Sequence, residues 1–316
     1  MKLLVTGATG FLGSNLVFRL SALGCDVVIS SRGSTASVSF GGSVVNVGNM
    51  DANTDWQAAV QNVDAVIHTA AIAHVINENN ANSIEHYSDV NAKGTLNLAR
   101  QAASAGVKRF IFISTVKVLG ESTAVDKPFK ANDQFNPIGP YARSKWLAEL
   151  GLMQLGADTN MEVVIIRPPL VYGPGVKANF LRMIQLVEKG IPLPLGAINN
   201  KRSFVALDNL VDLIITCIDH PAAANEVFLA GDGEDLSTSE LLRGIAVAMG
   251  KPSRLFPVPE SWLRFAARLL GKKDIADRLL DSLQVDISKT RDMLGWSPPI
   301  SVEEGLRRCF DTGRDK

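Results

Sequence analysis

Short runs of aliphatic and β-branched residues alternate with longer stretches whose apolar positions recur every three or four residues, and this alternation fills the first half of the chain. Lys2–Val5, Cys25–Ser30, Val44–Val47, Ala65–Ile67, Arg109–Ile113 and Val163–Arg167 are short and nearly continuous in apolar character, so they read as buried strands. Between the first two, Leu12, Leu16, Leu20 and Leu23 mark a helix. Leu96, Leu98, Ala99, Ala102 and Ala103 mark another over 91–105, stopped by Gly106. A third, about 141–155, follows from the helix formers Lys145, Leu147, Ala148 and Glu149. Strands separated by helices predict the α/β class, a doubly wound parallel sheet.

Length adds a second body. At 316 residues the chain exceeds what one hydrophobic core holds, because single cores stop growing near ~250–300 residues. We expect residues 1–170 to form the sheet domain and 171–316 a smaller C-terminal lobe, with about 204–230 packing back on the sheet. Lys+Arg and Asp+Glu each number 32, and no block of basic residues stands out, so a nucleic-acid partner is not expected. The apolar run at Met1–Val5 is too short for a signal peptide or a membrane span, and Leu210–Ile218 is broken by Asp212. Cys25, Cys217 and Cys309 are solitary, so neither zinc nor disulfides are expected and a cytoplasmic location is favoured.

The chemistry begins where the first strand ends, at Thr6-Gly7-Ala8-Thr9-Gly10-Phe11-Leu12-Gly13. Glycines between a strand and a helix permit a tight turn, close approach of backbone to a pyrophosphate, and close packing of helix on strand. This implies a dinucleotide at Gly7, Gly10, Phe11, Leu12 and Gly13. The second strand ends in Ser30-Ser31-Arg32, without the carboxylate that would bind a ribose 2′-hydroxyl and repel a 2′-phosphate. Ser31 and Arg32 therefore favour NADP(H), with NAD(H) as the alternative. Asn49 and Met50 are candidates for holding the adenine, and Thr69, Ala70 and Ala71 for lying against the cofactor. His68, with no partner at ligand spacing, reads as a hydrogen-bonded structural histidine. His74 and His86 fall in an Asn-rich stretch (Asn77, Asn79, Asn80, Asn82) that reads as a loop.

Two further features point to proton transfer. Ser114-Thr115 follows the fifth strand, where a hydroxyl faces the crevice of such a sheet. In Tyr141-Ala142-Arg143-Ser144-Lys145 a phenol and an ammonium share one helical face, and the ammonium is expected to favour the phenolate. Such a pair gives and takes a proton near neutral pH.

In this order the motifs resemble the extended short-chain dehydrogenase/reductases, the NAD-dependent epimerase/dehydratase family, which act on nucleotide sugars. The resemblance covers nearly the whole chain: Thr6–Gly13, His68-Thr69-Ala70-Ala71, Ser114-Thr115 with Val118-Leu119-Gly120, Tyr141–Lys145, and Pro168-Pro169-Leu170-Val171-Tyr172-Gly173-Pro174-Gly175. It implies a Rossmann-type domain and a UDP-sugar-binding lobe. Thr115 would orient substrate, Tyr141 act as acid and base, and Lys145 hold the nicotinamide ribose; Pro168 would also line the cofactor. The substrate would meet Ala73, Thr115, Val116, Tyr141, Leu170 and Leu195, with Asn179 and Arg202 on the diphosphate. A homodimer through helices at about 91–105 and 141–155 is implied as well.

Val116 and Lys117 replace an Asp-Glu pair that resembles the signature of the 4,6-dehydratases, so water elimination is disfavoured; Leu119 replaces a usual Tyr. Ser114–Glu121, Pro192–Gly196 with Arg202, Gly231–Ser237 and Ser282–Asp286 look similar to the branch that forms UDP-N-acetylquinovosamine for bacterial polysaccharides such as O-antigen. The expectation is thus reduction of the C4 ketone of a UDP-4-keto-6-deoxy-N-acetylhexosamine. A UDP-hexose or UDP-N-acetylhexosamine 4-epimerase with tightly bound NAD is the alternative, and a non-catalytic NADP(H)-binding sensor a third. Ser31 and Arg32 tilt the reading to the reductase, because an epimerase regenerates its cofactor each cycle and gains nothing from an NADPH pool. Finally, Trp262, Leu263, Phe265, Ala266, Leu269 and Leu270 interleave with Arg264, Arg268, Lys272 and Lys273. This amphipathic basic helix is expected to pack on the substrate lobe rather than meet a membrane.

Overall fold

A computed structural model describes residues 1–33, 42–73 and 81–311. Its elements in the first half are β1 (Lys2–Thr6), α1 (Phe11–Ala22), β2 (Asp26–Ser31), β3 (Ser43–Asn46), α2 (Gln57–Val60), β4 (Ala65–His68), α3 (Ala81–Tyr87), α4 (Thr95–Ser104), β5 (Arg109–Ile113), α5 (Gly139–Asp158) and β6 (Glu162–Arg167). There follow β7 (Leu170–Tyr172), α6 (Ala178–Glu188), β8 (Arg202–Ala206), α7 (Leu207–Asp219), β9 (Glu226–Leu229), β10 (Asp235–Leu236), α8 (Thr238–Ala248), α9 (Glu260–Leu269), α10 (Lys273–Leu280), α11 (Ser288–Leu294) and α12 (Val302–Arg308).

Seven strands form one parallel sheet in the order β3-β2-β1-β4-β5-β6-β9. The side-chain period of two divides it into two cores. Leu3, Val5, Ile111, Ile113, Val164 and Ile166 face the layer of α1 and α7. Leu4, Phe110, Phe112, Val163 and Ile165 face that of α4 and α5. Burial on both faces is why the strands read as unbroken apolar runs. The strand order reverses between β1 and β4, which opens a crevice at the strands' carboxyl ends.

The C-terminal lobe has its own core, built on Tyr172, Phe180, Phe204, Leu241, Ile245 and Leu306. A smaller sheet, β10-β8-β7, runs beneath it. Tyr172 Oη donates to Asp232 Oδ2 (2.8 Å), while Asp232 Oδ1 accepts from Ala206 N (2.8 Å) and Asn209 Nδ2 (2.7 Å), so one buried carboxylate ties together β7, β8 and α7.

Two expectations need correction. The stretch holding His86 is helical: α3 runs from Ala81 through a π-helical segment, Ser88–Gly94, into α4, so the helix predicted from residue 91 starts ten residues earlier. Tyr87, wholly buried against Tyr141 with ring centroids 6.2 Å apart, provides the tertiary packing that overrides weak local propensity. His74, Asn77, Asn79 and Asn80 lie outside the described residues. Helix α9 also departs from expectation, for none of its residues is buried. Arg264 is the reason: it pairs with Glu260, Asp277 and Asp281, which turns the opposite face, with Trp262 and Phe265, to the outside.

Candidate active site

The tip of β1 dictates how closely anything can approach it. Gly7 has φ +70°, and a Cβ there would lie 2.7 Å from both Ala70 N and Thr69 Oγ1; a Cβ on Gly13 would collide with the Gly7 carbonyl. Only glycine at both positions lets the β1 turn, α1 and the tip of β4 meet. Helix α1 starts without a side-chain cap, which leaves the first-turn N–H groups of Phe11, Leu12 and Gly13 available to an anion. Nearby at the tip of β5, the buried Ser114 hydroxyl has no hydrogen-bond partner. A cradle closed to any Cβ, an uncapped helix and an orphaned hydroxyl fit a dinucleotide.

The tip of β4 is fixed by a chain of hydrogen bonds. His68 Nδ1 shares a 2.7 Å bond with Thr6 Oγ1 and Nε2 a 2.8 Å bond with Thr95 Oγ1. Burial, with Lys145 nearby, lowers its pKa to about 3, so the ring is neutral. Thr69 Oγ1 donates to Thr6 O (2.7 Å). Beyond it, Asn91 grips the backbone of Ile72 on both sides, accepting from its N (2.8 Å) and donating to its O (2.9 Å). The same amide donates to Ser144 Oγ (3.1 Å), and Ser144 donates to Tyr141 O (2.8 Å). Asn91, carried on the π-helical segment, thus joins the extension of β4 to the start of α5.

Tyr141, Lys145 and Glu149 follow one another on a face of α5. Lys145 is 2% exposed, with Nζ 4.0 Å above the centre of the Phe112 ring. Burial pushes its ammonium down to about 7, against a smaller upward pull from Glu149. Tyr141 is half-buried, and its phenol is pushed up to about 12 by desolvation, with Tyr87 adding to the rise. The expected lowering of the phenol by the ammonium is therefore reversed in this geometry. Loss of water at the phenol sets the direction, and the neighbouring Tyr87 adds to it. In this geometry Tyr141 rests as the protonated phenol, the form that gives a proton, and a charge on Lys145 would favour the phenolate that takes one.

Other expected residues divide between crevice and lobe. Thr115 is half-buried just past β5, where its Oγ1 accepts from Lys117 N (3.3 Å), and Val116 N donates to Pro168 O (3.0 Å). Ser31 Oγ donates to Gly33 O (2.9 Å), and Arg32 is exposed beside it. Asn49, Ala71 and Ala73 are exposed, whereas Met50 is buried against Gly94 in the α4 core. On the lobe, Leu170 is exposed and Leu195 offers its carbonyl to Ser239 Oγ. Asn179 stands exposed in the first turn of α6. Arg202 Nη1 donates to Asp281 O (2.9 Å), and burial lowers its pKa. A cavity of about 220 Å³ lined by Ser203, Asp235, Gln284 and Arg291 contains none of these residues. Asp235 accepts from both Ser203 and Gln284 across it, so this part reads as a structural junction. Among the described residues no group of His, Cys, Asp and Glu is arranged to hold a metal.

The roles of Asn91 and Ser144 escaped the sequence reading, because an Asn or Ser in a helix carries no periodic signal. Glu149 was visible: it repeats the Tyr141–Lys145 spacing once more.

A model of the NAD dependent epimerase/dehydratase family matches residues 3–231. The chain belongs to that family. It is therefore an NAD-dependent enzyme of the epimerase/dehydratase kind, and the doubly wound fold is the one expected. Over 308 residues it is 50% identical to UDP-glucose 4-epimerase of Vibrio cholerae, covering 97% of this chain and 94% of that protein. A second epimerase/dehydratase relative, UDP-glucose 4-epimerase of Mycolicibacterium smegmatis, is 30% identical over 333 residues, covering 100% and 99%. The structure of UDP-glucuronic acid 4-epimerase from Bacillus cereus with NAD superposes with a TM-score of 0.78 at 24% identity, covering 98% of this chain and 96% of that one, and this likeness establishes the fold.

Proposed function

We propose that this protein is a UDP-sugar 4-epimerase, acting on a UDP-hexose or UDP-N-acetylhexosamine in the cytoplasm with NAD held through the cycle. The observation that carries the reading is the 50% identity to the Vibrio cholerae UDP-glucose 4-epimerase along almost the whole chain, combined with Tyr141 and Lys145 at the strands' carboxyl ends. The bound nicotinamide would supply a hydride acceptor and donor at C4. Tyr141 would remove the proton of the C4 hydroxyl and return it to the oxygen after the sugar has turned. Thr115 would hold that oxygen through its hydroxyl. Lys145 would bind the ribose, its recovered charge stabilising the phenolate. Asn179 and Arg202 would meet the diphosphate, Arg202 from a desolvated position that strengthens its attraction to an anion. Incubation with UDP-glucose or UDP-N-acetylglucosamine, followed by proton NMR, tests the reading: new anomeric signals from the C4 epimer are expected, and none after long incubation would reject it.

The second reading, a net 4-ketoreductase using NADP(H), draws support from the tip of β2. There Ser31 and Arg32 stand in place of a carboxylate, and Arg32 is exposed to solvent, where it would pair with a 2′-phosphate. NADPH oxidation dependent on UDP-4-keto-6-deoxy-N-acetylglucosamine would establish it. In either case we propose a homodimer through α4 and α5, supported by the exposed Leu147, Leu150 and Met153 on the outer face of α5.

A further inference from the structure

Helix α9 turns its apolar face away from the protein. Trp262, Phe265, Leu269 and Leu270 are 72%, 65%, 72% and 70% exposed, and helical spacing puts them on one side. Ile275, on the adjoining helix α10, is 54% exposed as well. Contiguous exposed apolar surface of this kind marks a site of interaction.

The charges around it say what kind. Arg264, on the opposite side of α9, engages Glu260 (2.7 Å), Asp277 (3.2 Å) and Asp281 (2.7 Å), so one cation draws three carboxylates of the α9–α10 pair to the side away from the apolar face and offsets part of their charge. The other ionisable residues of 260–281 are Arg268, Lys272, Lys273 and Arg278 against Asp274. All five are exposed, and among the described residues the four cations make no ion pair. Over 260–281 the five cations Arg264, Arg268, Lys272, Lys273 and Arg278 stand against the four carboxylates Glu260, Asp274, Asp277 and Asp281, a net charge of +1. A layer of anionic headgroups over acyl chains complements both halves of this face: aromatic and leucyl side chains enter the headgroup boundary, and long basic side chains reach the phosphates.

We propose that the α9–α10 pair docks the protein on an anionic lipid surface. The contact is peripheral, because among the described residues no helix is long and apolar enough to cross a membrane. Docking also orients the lobe. Arg264 holds the Asp281 side chain and Arg202 binds the Asp281 carbonyl, so the patch is tied to the residue proposed to meet the diphosphate. The inference does not depend on which sugar reaction the enzyme performs.

The test uses the full chain with vesicles of phosphatidylglycerol mixed into phosphatidylcholine, and of phosphatidylcholine alone, read by pelleting. Tryptophan emission gives a second readout, since Trp56 and Trp296 are buried and Trp146 half-buried, which leaves Trp262 to report contact. We expect salt-sensitive binding to the anionic vesicles and a blue-shifted emission. A Trp262→Ser, Phe265→Ser double variant and a Lys272→Glu, Lys273→Glu double variant should each bind at least about tenfold more weakly. Unchanged circular dichroism melting would show that both variants fold. No pelleting, equal pelleting with neutral and anionic vesicles, or a concentration-dependent oligomer lost in the Trp262→Ser, Phe265→Ser variant would overturn the proposal.

Discussion

The carboxylate of Glu149 lies 2.7 Å from the guanidinium of Arg167, and both side chains are at most 2% exposed. Arg167 Nε donates to both carboxylate oxygens (3.1 and 3.2 Å), and Nη1 donates to Ala131 O (2.8 Å). This pair anchors α5 to the end of β6 one helical turn beyond Lys145. It also leaves a negative charge beneath the lysine that partly offsets the lysine's desolvation.

Replacing Glu149 by Gln should act twice. Breaking a buried pair from one side leaves an uncompensated charge and costs about 3–5 kcal/mol. Urea unfolding would measure it. Because Glu149 raises the Lys145 pKa, its loss should lower that pKa further below about 7. A pH–rate profile should show the limb that depends on charged Lys145 displaced to lower pH.

Stability should fall in acid because of His68. Its folded pKa of about 3 lies below the ordinary 6.5, so between these values the unfolded chain binds a proton that the folded chain does not. The stabilisation is complete above 6.5 and is lost as pH falls toward 3. The linkage amounts to about 2 kcal/mol between pH 8 and pH 5. Urea midpoints of the native chain and a His68→Asn variant at the two values would isolate it, the variant lacking this share of the slope.

A methyl group at Gly13 should be felt by both fold and cofactor. The added Cβ would strike the Gly7 carbonyl, so the turn must shift, at a cost of about 1–3 kcal/mol. We expect Gly13→Ala to melt lower and, by calorimetry, to bind NAD more weakly, whereas Gly24→Ala, at a position open to solvent, should leave NAD binding intact.

Tyr141→Phe should keep the fold and NAD affinity while turnover falls by about 10²–10⁴-fold, the usual contribution of a positioned proton donor. A variant as active as the parent would remove the phenol from the chemistry.

Much of this was readable in the chain. The strands were legible because a sheet buried on both faces needs nearly every position apolar, and the glycine turn because Gly7 and Gly13 serve a geometry that no other residue permits. Tyr141 and Lys145 were legible by spacing. The direction of their pKa shifts was not, since it depends on how much water Phe112, Tyr87 and the sheet exclude. Asn91 was invisible for a similar reason: its partners, Ile72 and Ser144, come from separate elements. The face of α9 was misjudged because periodicity identifies an apolar stripe without saying which side its opposing Arg264 will hold to the lobe.

The most direct test of the central claim follows the hydrogen at C4. UDP-glucose or UDP-N-acetylglucosamine deuterated at C4 would be incubated with the protein in the presence of unlabelled NADPH, and the C4 epimer analysed by mass spectrometry and NMR. If Tyr141 moves the proton while hydride is taken from and returned to the same carbon, the epimer keeps its deuterium and NADPH is not consumed. Formation of an unlabelled C4 centre, or no epimer from either sugar together with NADPH consumption when UDP-4-keto-6-deoxy-N-acetylglucosamine is supplied instead, would contradict the account.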